Sequence, residues 1–231
     1  MDLRPLDSDQ VHPIEYLSNF ENVDRTKVKL TELFRLYGAS SKSEEYIELY
    51  STIEGLLHDK KVNCIVEFGT ASGSSARALS DKYPSSTIYT IDINESCQLI
   101  FQNHPKIVPI TADQSNIKSL TEIANIIPSI DLVIDDGSHM SSDILKTLQI
   151  FSLKLKSDSI YVIEDCDSAG NLGYSDYMNH KFRRNKEENL RAEYLKMIND
   201  LMITCDTNKN IQLLYTCKCL TILMGAYRLH Q

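Results

Sequence analysis

The chain has 231 residues, and much of what it lacks is informative. No apolar run approaches the roughly 18 residues of a membrane span, so none is expected. The first ten residues, MDLRPLDSDQ, hold no apolar stretch, so no secretory signal peptide is expected. No C-x-x-C pair occurs. The 6 cysteines, Cys64, Cys97, Cys166, Cys205, Cys217 and Cys219, are scattered, and several sit in apolar runs. Cys217 and Cys219 have no histidine cluster beside them, and all six read as reduced, partly buried thiols of a cytoplasmic protein. Positive charge is also short: Lys+Arg is 24 against 32 Asp+Glu, a formal net charge of -8. Such a chain repels phosphate backbones, so no nucleic-acid partner is expected, and no membrane partner either. The dense basic cluster, Lys181 with Arg183 and Arg184, reads as a solvated helix start or as a contact for an acidic substrate group. No internal repeat and no low-complexity segment is visible.

What is present is an ordinary globular composition, 42% hydrophobic and 24% charged. A chain of this length buries a full core without disulfide or metal staples. Residues 1–28 are polar and aperiodic. Over 29–58, Leu30, Leu33, Phe34, Tyr46, Leu49, Tyr50, Ile53 and Leu57 recur at helical spacing, broken at Gly38-Ala39-Ser40-Ser41. This predicts a helical cap within an N-terminal segment, 1–58, ahead of a second unit, 59–231.

From residue 62 the period changes. Strands are expected at Val62–Phe68, Thr87–Ile93, Ile107–Thr111, Ile130–Ile134 and Ser159–Ile163. Helices are expected between them at Ser74–Tyr83, Ser96–Asn103, Ile117–Ile127 and Asp143–Leu155. This alternation calls for an α/β fold with a mostly parallel sheet covered on both faces. A polar stretch, Glu164–Asn185, reads as a long loop of the kind that covers active sites. A helix over Glu187–Ile203 comes next, then two closely spaced strands, Ile211–Thr216 and Leu220–Tyr227, forming an antiparallel pair at the sheet edge.

The chemistry is concentrated where strands end. Glu67-Phe68-Gly69-Thr70-Ala71-Ser72-Gly73-Ser74-Ser75 succeeds the first strand and opens the first helix. Glycines there let the backbone turn tightly and approach a ligand. Asp92 ends the second strand, beside that loop in a doubly wound sheet. An acidic residue at this point accepts the hydroxyls of a ribose. Asp113, after the third strand, has two readings: an acceptor for an adenine amine, or an N-cap for the helix beginning at Ile117.

These residues resemble the class I S-adenosylmethionine-dependent methyltransferases, with Ala71 in place of the usual middle glycine. The phosphate-binding G-x-G-x-x-G pattern is absent, which disfavours NAD. The resemblance implies a Rossmann-like, seven-stranded methyltransferase sheet, mostly parallel with an antiparallel last strand, over roughly 60–228. Expected cofactor contacts are Glu67, Gly69, Thr70, Ser72, Gly73, Ser75, Asp92, Ile93, Asp113, Gln114 and Asp135.

The fourth strand ends Ile134-Asp135-Asp136-Gly137-Ser138-His139, and the fifth ends Val162-Ile163-Glu164-Asp165. Neighbouring strands would bring both acidic pairs and His139 into one crevice. Four carboxylates there repel one another unless a cation sits among them. Hard oxygen donors select Mg²⁺, Mn²⁺ or Ca²⁺. His139 is placed to take a proton from a hydroxyl acidified by that cation, or else to cap a helix or orient a ligand.

The two strand ends together resemble a narrower family, the metal-dependent sugar O-methyltransferases of macrolide biosynthesis, with the related cephalosporin-hydroxylase-like and rhamnosyl O-methyltransferase proteins. That resemblance implies that Asp136, Glu164 and Asp165 hold Mg²⁺ (or Mn²⁺), that His139 is the general base acting with Asp136, and that the acceptor is a small molecule or glycan. Many members carry a Tyr-Gly-Thr-Asp-Lys segment with a nearby His before the first strand. Here the stretch is Tyr37-Gly38-Ala39-Ser40-Ser41-Lys42, and its Asp and His are missing. Two other functions stay open: methylation of a catechol-like or polyketide hydroxyl, and a non-catalytic methyltransferase-like subunit. In the long loop, Tyr174 and Tyr177 read as packing on a sugar face or on an aromatic ring, or as anchors of a lid, and His180 as a surface residue or a substrate contact. The N-terminal helices are a candidate interface for a homo-oligomer.

Overall fold

The structure is a computed structural model, and it describes residues 23–165, 196, 199–200, 211–216 and 219–224. Most of the predicted long loop and all but three residues of the helix after it lie outside the described residues. So do Lys181, Arg183, Arg184, Tyr174, Tyr177, His180, Cys166, Cys205 and Cys217. Among the described residues no helix is long and apolar enough to cross a membrane, and Cys64 and Cys97 are buried thiols.

The described residues open with a short 3-10 turn, Arg25–Lys27, then helix α1, Leu30–Tyr37. Leu30, Leu33 and Phe34 form its buried stripe. Gly38 stops it in the left-handed region, with φ 81, and its N–H returns to the Arg35 carbonyl. The next N–H, of Ala39, reaches the Phe34 carbonyl at 2.8 Å. This glycine-terminated ending sends the chain sharply aside. The helical spacing breaks at Gly38, as expected; the chain then makes one π-helical turn, Ser41–Glu45, and enters helix α2, Ile47–Leu57. Single π turns are uncommon and often sit at functional sites.

Strands β1 (Cys64–Phe68), β2 (Thr87–Asp92), β3 (Ile107–Thr111), β4 (Ile130–Asp135) and β5 (Leu155–Ile163) alternate with helices α3 (Ser74–Lys82), α4 (Cys97–Ile100), α5 (Ile117–Ile126) and α6 (Ser141–Phe151). The five strands are parallel, in the order β3-β2-β1-β4-β5. β1 is fully buried, as a central parallel strand covered on both faces must be. Beyond them lie β6 (Ile211–Thr216) and β7 (Cys219–Met224), with β7 antiparallel to β5 and to β6. The fifth strand starts earlier than its apolar run suggests, because Leu155 already pairs with Ile130. The preceding helix is correspondingly shorter, ending at Phe151 before a 3-10 turn, Ser152–Lys154. The fourth helix shrinks to a single turn.

Period-2 alternation sorts the sheet's side chains onto two faces. Ile65, Leu132, Ile134, Ile160 and Val162 pack with α1, α2 and α3 through Leu33, Phe34, Tyr50, Ile53 and Leu79. Val66, Phe68, Val133, Tyr161 and Ile163 pack with α5 and α6 through Leu120, Ile123, Ile144 and Phe151. The N-terminal helices therefore share a hydrophobic core with the sheet. Phe34 is fully buried and meets the Tyr50 ring edge-on at 4.9 Å. Phe34→Ala should lower the unfolding free energy by about 3–5 kcal/mol while leaving one cooperative urea transition tracked by circular dichroism. Two separate transitions would contradict the shared core.

Candidate active site

β1 has β2 on one side and β4 on the other, so the crevice opens where the connections diverge, at the carboxyl ends of these strands. The backbone there is tightly drawn. The Asp136 N–H donates to the Phe68 carbonyl at 3.1 Å, and the Gly69 N–H to the Ile91 carbonyl at 2.8 Å. Gly69 has φ +89, and a Cβ on it would stand 2.0 Å from the Asp136 carbonyl oxygen. Only glycine fits that position.

The Gly-rich loop and the end of β2 meet as expected. Asp92 accepts from the Ala71 N–H at 3.0 Å and from the Asn94 N–H at 2.8 Å. Two hydrogen bonds leave lone pairs of the carboxylate unspent, as a ribose acceptor requires. Thr70 is buried, and its hydroxyl meets that of Thr90 at 2.7 Å. Ser72 is exposed, 2.8 Å from the Ser74 hydroxyl. Gly73 takes φ +75 and begins α3; Ser75 lies on that helix's first turn and Ile93 just past β2. Asp113 accepts from the Ser115 N–H at 2.8 Å. It is not the N-cap of α5: Asn116 is, accepting from the Ser119 N–H at 3.2 Å.

Strand parity separates the acidic residues. Glu67, Asp136 and Glu164 have the parity of Ile65, Ile134 and Val162, which face the helical cap. Asp135 has the parity of Val133, on the opposite face. It is buried and accepts from Gln114 Nε2 at 2.7 Å, Thr147 Oγ1 at 2.7 Å and Tyr161 OH at 3.3 Å. Burial raises its pKa, and the bonds from Thr147 and Gln114 oppose that rise. Gln114 is also committed to the fold: its Oε1 accepts from the Ser138 N–H at 2.8 Å. The expected gathering of Asp135 with Asp136 therefore does not occur. Asp135 and Gln114 support, from behind, the loop that carries His139.

That loop and its neighbour are strained. His139 has φ 53 and Asp165 has φ 50, uncommon for non-glycine residues. Such conformations persist where the surroundings enforce them, often at functional sites. The left-handed turn redirects each side chain after its strand. His139 Nε2 lies 3.8 Å from Asp136 Oδ1 and 3.7 Å from Asp165 Oδ2. These separations are too long for direct hydrogen bonds. Asp136, His139 and Asp165 offer donor atoms that all lie within 4.8 Å of one another. The two carboxylates at that spacing fit a hard divalent cation, and the imidazole stands beside them.

A side-chain cation also lies among these carboxylates. Lys42, on the π turn, is buried, with Nζ 2.5 Å from Asp136 Oδ2 and 2.8 Å from Glu164 Oε1. Burial opposes its charge, but Glu164 and Asp136 outweigh burial and raise its pKa, so it stays protonated. Glu164 is fully buried; burial raises its carboxyl, with Lys42 opposing. The Tyr50 hydroxyl donates to Glu164 Oε1, and the Tyr46 hydroxyl to Asp165 Oδ1. Glu164 Oε2 and Glu67 Oε1 are buried without a hydrogen-bond partner among the described residues. Lys42, Tyr46 and Tyr50 were missed in the sequence as site residues. The available signal was the position of Lys42 at the end of the Tyr-Gly-x-x-x-Lys stretch.

The fold is that of an α/β methyltransferase. The solved structure of the MycE methyltransferase from the mycinamycin pathway, in complex with Mg and SAH, matches with a TM-score of 0.69 at 21% identity, over 89% of this chain and 57% of that one. Among curated relatives, 99 residues are 31% identical to the 8-demethyl-8-alpha-L-rhamnosyl tetracenomycin-C 2'-O-methyltransferase of Streptomyces olivaceus, 43% of this chain and 25% of that protein. A stretch of 93 residues is 30% identical to the mycinamicin VI 2''-O-methyltransferase of Micromonospora griseorubida, 40% of this chain and 23% of that one. The matched stretch is about a quarter of either relative's length. No protein-family model matches the sequence.

Glu67 gives a pH test. Burial pushes its carboxyl up from 4.5 to about 7, with Lys42 opposing. A raised folded-state pKa favours the protonated form in the folded protein. Its contribution to stability is therefore complete below pH 4.5 and is lost as the pH rises to about 7. Glu67→Gln should abolish that loss and unfold at higher urea than the parent at pH 8. An unchanged pH profile of the urea midpoint would show that Glu67 does not titrate this way.

Proposed function

We propose that the chain is an S-adenosylmethionine-dependent, Mg²⁺-dependent O-methyltransferase acting on a hydroxyl of a sugar or glycoconjugate. One observation carries this reading. Asp136, His139 and Asp165 converge within 4.8 Å, and the same Asp136 backbone closes onto Gly69 of the Gly-rich loop. A hydroxyl-activating set thus adjoins a nucleoside cradle on one sheet edge. The sugar acceptor is supported by the relatives' names, and by the mycinamycin VI bound with Mg and SAH in another MycE structure.

Asp92 would accept from the ribose hydroxyls, while Glu67, Gly69, Thr70, Ser72, Gly73, Ser75, Ile93 and Asp113 would line the rest of the cofactor cradle. Asp135 and Gln114 support it from the opposite face of the sheet. Asp136, Glu164 and Asp165 would hold the cation. When bound, that cation lowers the pKa of the acceptor hydroxyl and stabilises the developing negative charge. His139 takes the hydroxyl proton on its imidazole, and Asp136 and Asp165 stabilise the imidazolium that results. S-adenosylmethionine, when bound, would supply the methyl group to the acceptor oxygen, with S-adenosylhomocysteine as the leaving group. Holding donor and acceptor in line supplies much of the rate. β6 and β7 complete a seven-stranded methyltransferase sheet in this reading. Residues 1–58 form a helical cap on the methyltransferase unit, 59–231. The buried thiols of Cys64 and Cys97 support a cytoplasmic setting.

Asp136→Ala should abolish methyl transfer and leave S-adenosylhomocysteine binding by calorimetry intact. Transfer that survives this change, or survives EDTA, would contradict the metal-dependent reading. His139→Ala should lower kcat by about 10²–10⁴-fold without changing cofactor affinity. A kcat within a factor of about three of the parent would remove His139 as the base.

A further inference from the structure

We propose that Lys42 is a resident counter-cation that competes with the divalent metal for Asp136 and Glu164, so that metal binding at this centre is a cation exchange. The inference rests on the metal-dependent reading above. Lys42 Nζ is within 2.8 Å of carboxylate oxygens from two different strands. Its side chain is 3% exposed, so the ammonium has given up its water for these two partners. A divalent cation bound by the same oxygens would lie within a few ångströms of Nζ. Two positive charges that close, in a site shielded from water, repel strongly.

The cluster is divided in a way that suits exchange. Asp136 gives Oδ2 to Lys42, while its Oδ1 faces His139. Glu164 gives Oε1 to Lys42 and to Tyr50, while Oε2 is buried without a hydrogen-bond partner among the described residues. A buried carboxylate oxygen without a partner is costly, and a metal would supply one. Lys42 is carried by the π turn Ser41–Glu45, not by α1 or α2. Its withdrawal therefore asks for movement of one turn, with both packed helices left in place.

The test is Mn²⁺ binding, measured by electron paramagnetic resonance on the full chain, the Lys42→Met and Lys42→Arg variants, and Asp136→Asn. Loss of the competing cation in Lys42→Met should tighten Mn²⁺ binding by about tenfold or more. The same variant should melt at lower temperature when metal-free and gain more in Tm from Mn²⁺ than the parent does. Lys42→Arg, which keeps the positive charge, should stay near the parent affinity. Equal or weaker Mn²⁺ binding by Lys42→Met, with Asp136→Asn losing it, would overturn the exchange and leave the metal centre standing. No binding by any of the four chains would overturn the metal centre and the exchange together. Should Lys42→Met be unfolded without metal, Mn²⁺ is expected to restore its cooperative melting; failure to do so while the parent binds Mn²⁺ would overturn the proposal.

Discussion

The site is organised around one buried ammonium. Glu67 and Glu164 are fully buried, and Asp136 is close beside them. Three carboxylates on one face of a sheet repel one another, and burial makes each charge more costly. Lys42 is the cation among the described residues that lies between them. Placing it there requires α1 to end at Gly38, a π turn to come next, and α2 to bring Tyr46 and Tyr50 over the same strand ends. The N-terminal helices are therefore part of the site's electrostatics and of the core together. Removing them would strip the carboxylates of a counter-charge and of two tyrosine donors.

The adjacent residues Asp135 and Asp136 show how the sheet divides labour. Facing α5 and α6, Asp135 is fixed by three hydrogen-bond donors and anchors, through Gln114, the loop beginning at Ser138. Asp136, one residue on, faces the cap and meets Lys42 and His139. The difference is one step of strand alternation. Past the strand ends, alternation no longer governs. Positive φ at His139 and Asp165 then aims both side chains at the same small volume.

Much of this arrangement was legible in the sequence. The change from helical spacing to short apolar runs at residue 62 marked the α/β unit. The acidic residues ending β1, β2, β4 and β5 marked the reactive edge, because parallel strands must end on the same side. What stayed hidden depends on tertiary packing. Lys42 lies 94 residues from Asp136 in the chain, and the Tyr-Gly-x-x-x-Lys stretch that carries it does not say which carboxylates it meets. Asp135 looked equivalent to Asp136 because both close an apolar run; only the facing direction of β4 separates them. The Asn116 cap displaced the Asp113 reading because the turn between them adds residues that a strand-to-helix count does not foresee. The extension of β5 back to Leu155 comes from pairing with Ile130, not from its own polar sequence.

The central claim is that one sheet edge holds a divalent cation and a sulfonium cofactor side by side. A crystal grown with Mn²⁺ and S-adenosylhomocysteine tests this most directly. The account predicts an anomalous peak in contact with Asp136 and Asp165, and the cofactor ribose on Asp92. A cofactor seated away from Asp92, or no anomalous peak against Asp136 in crystals that hold the cofactor, would contradict it.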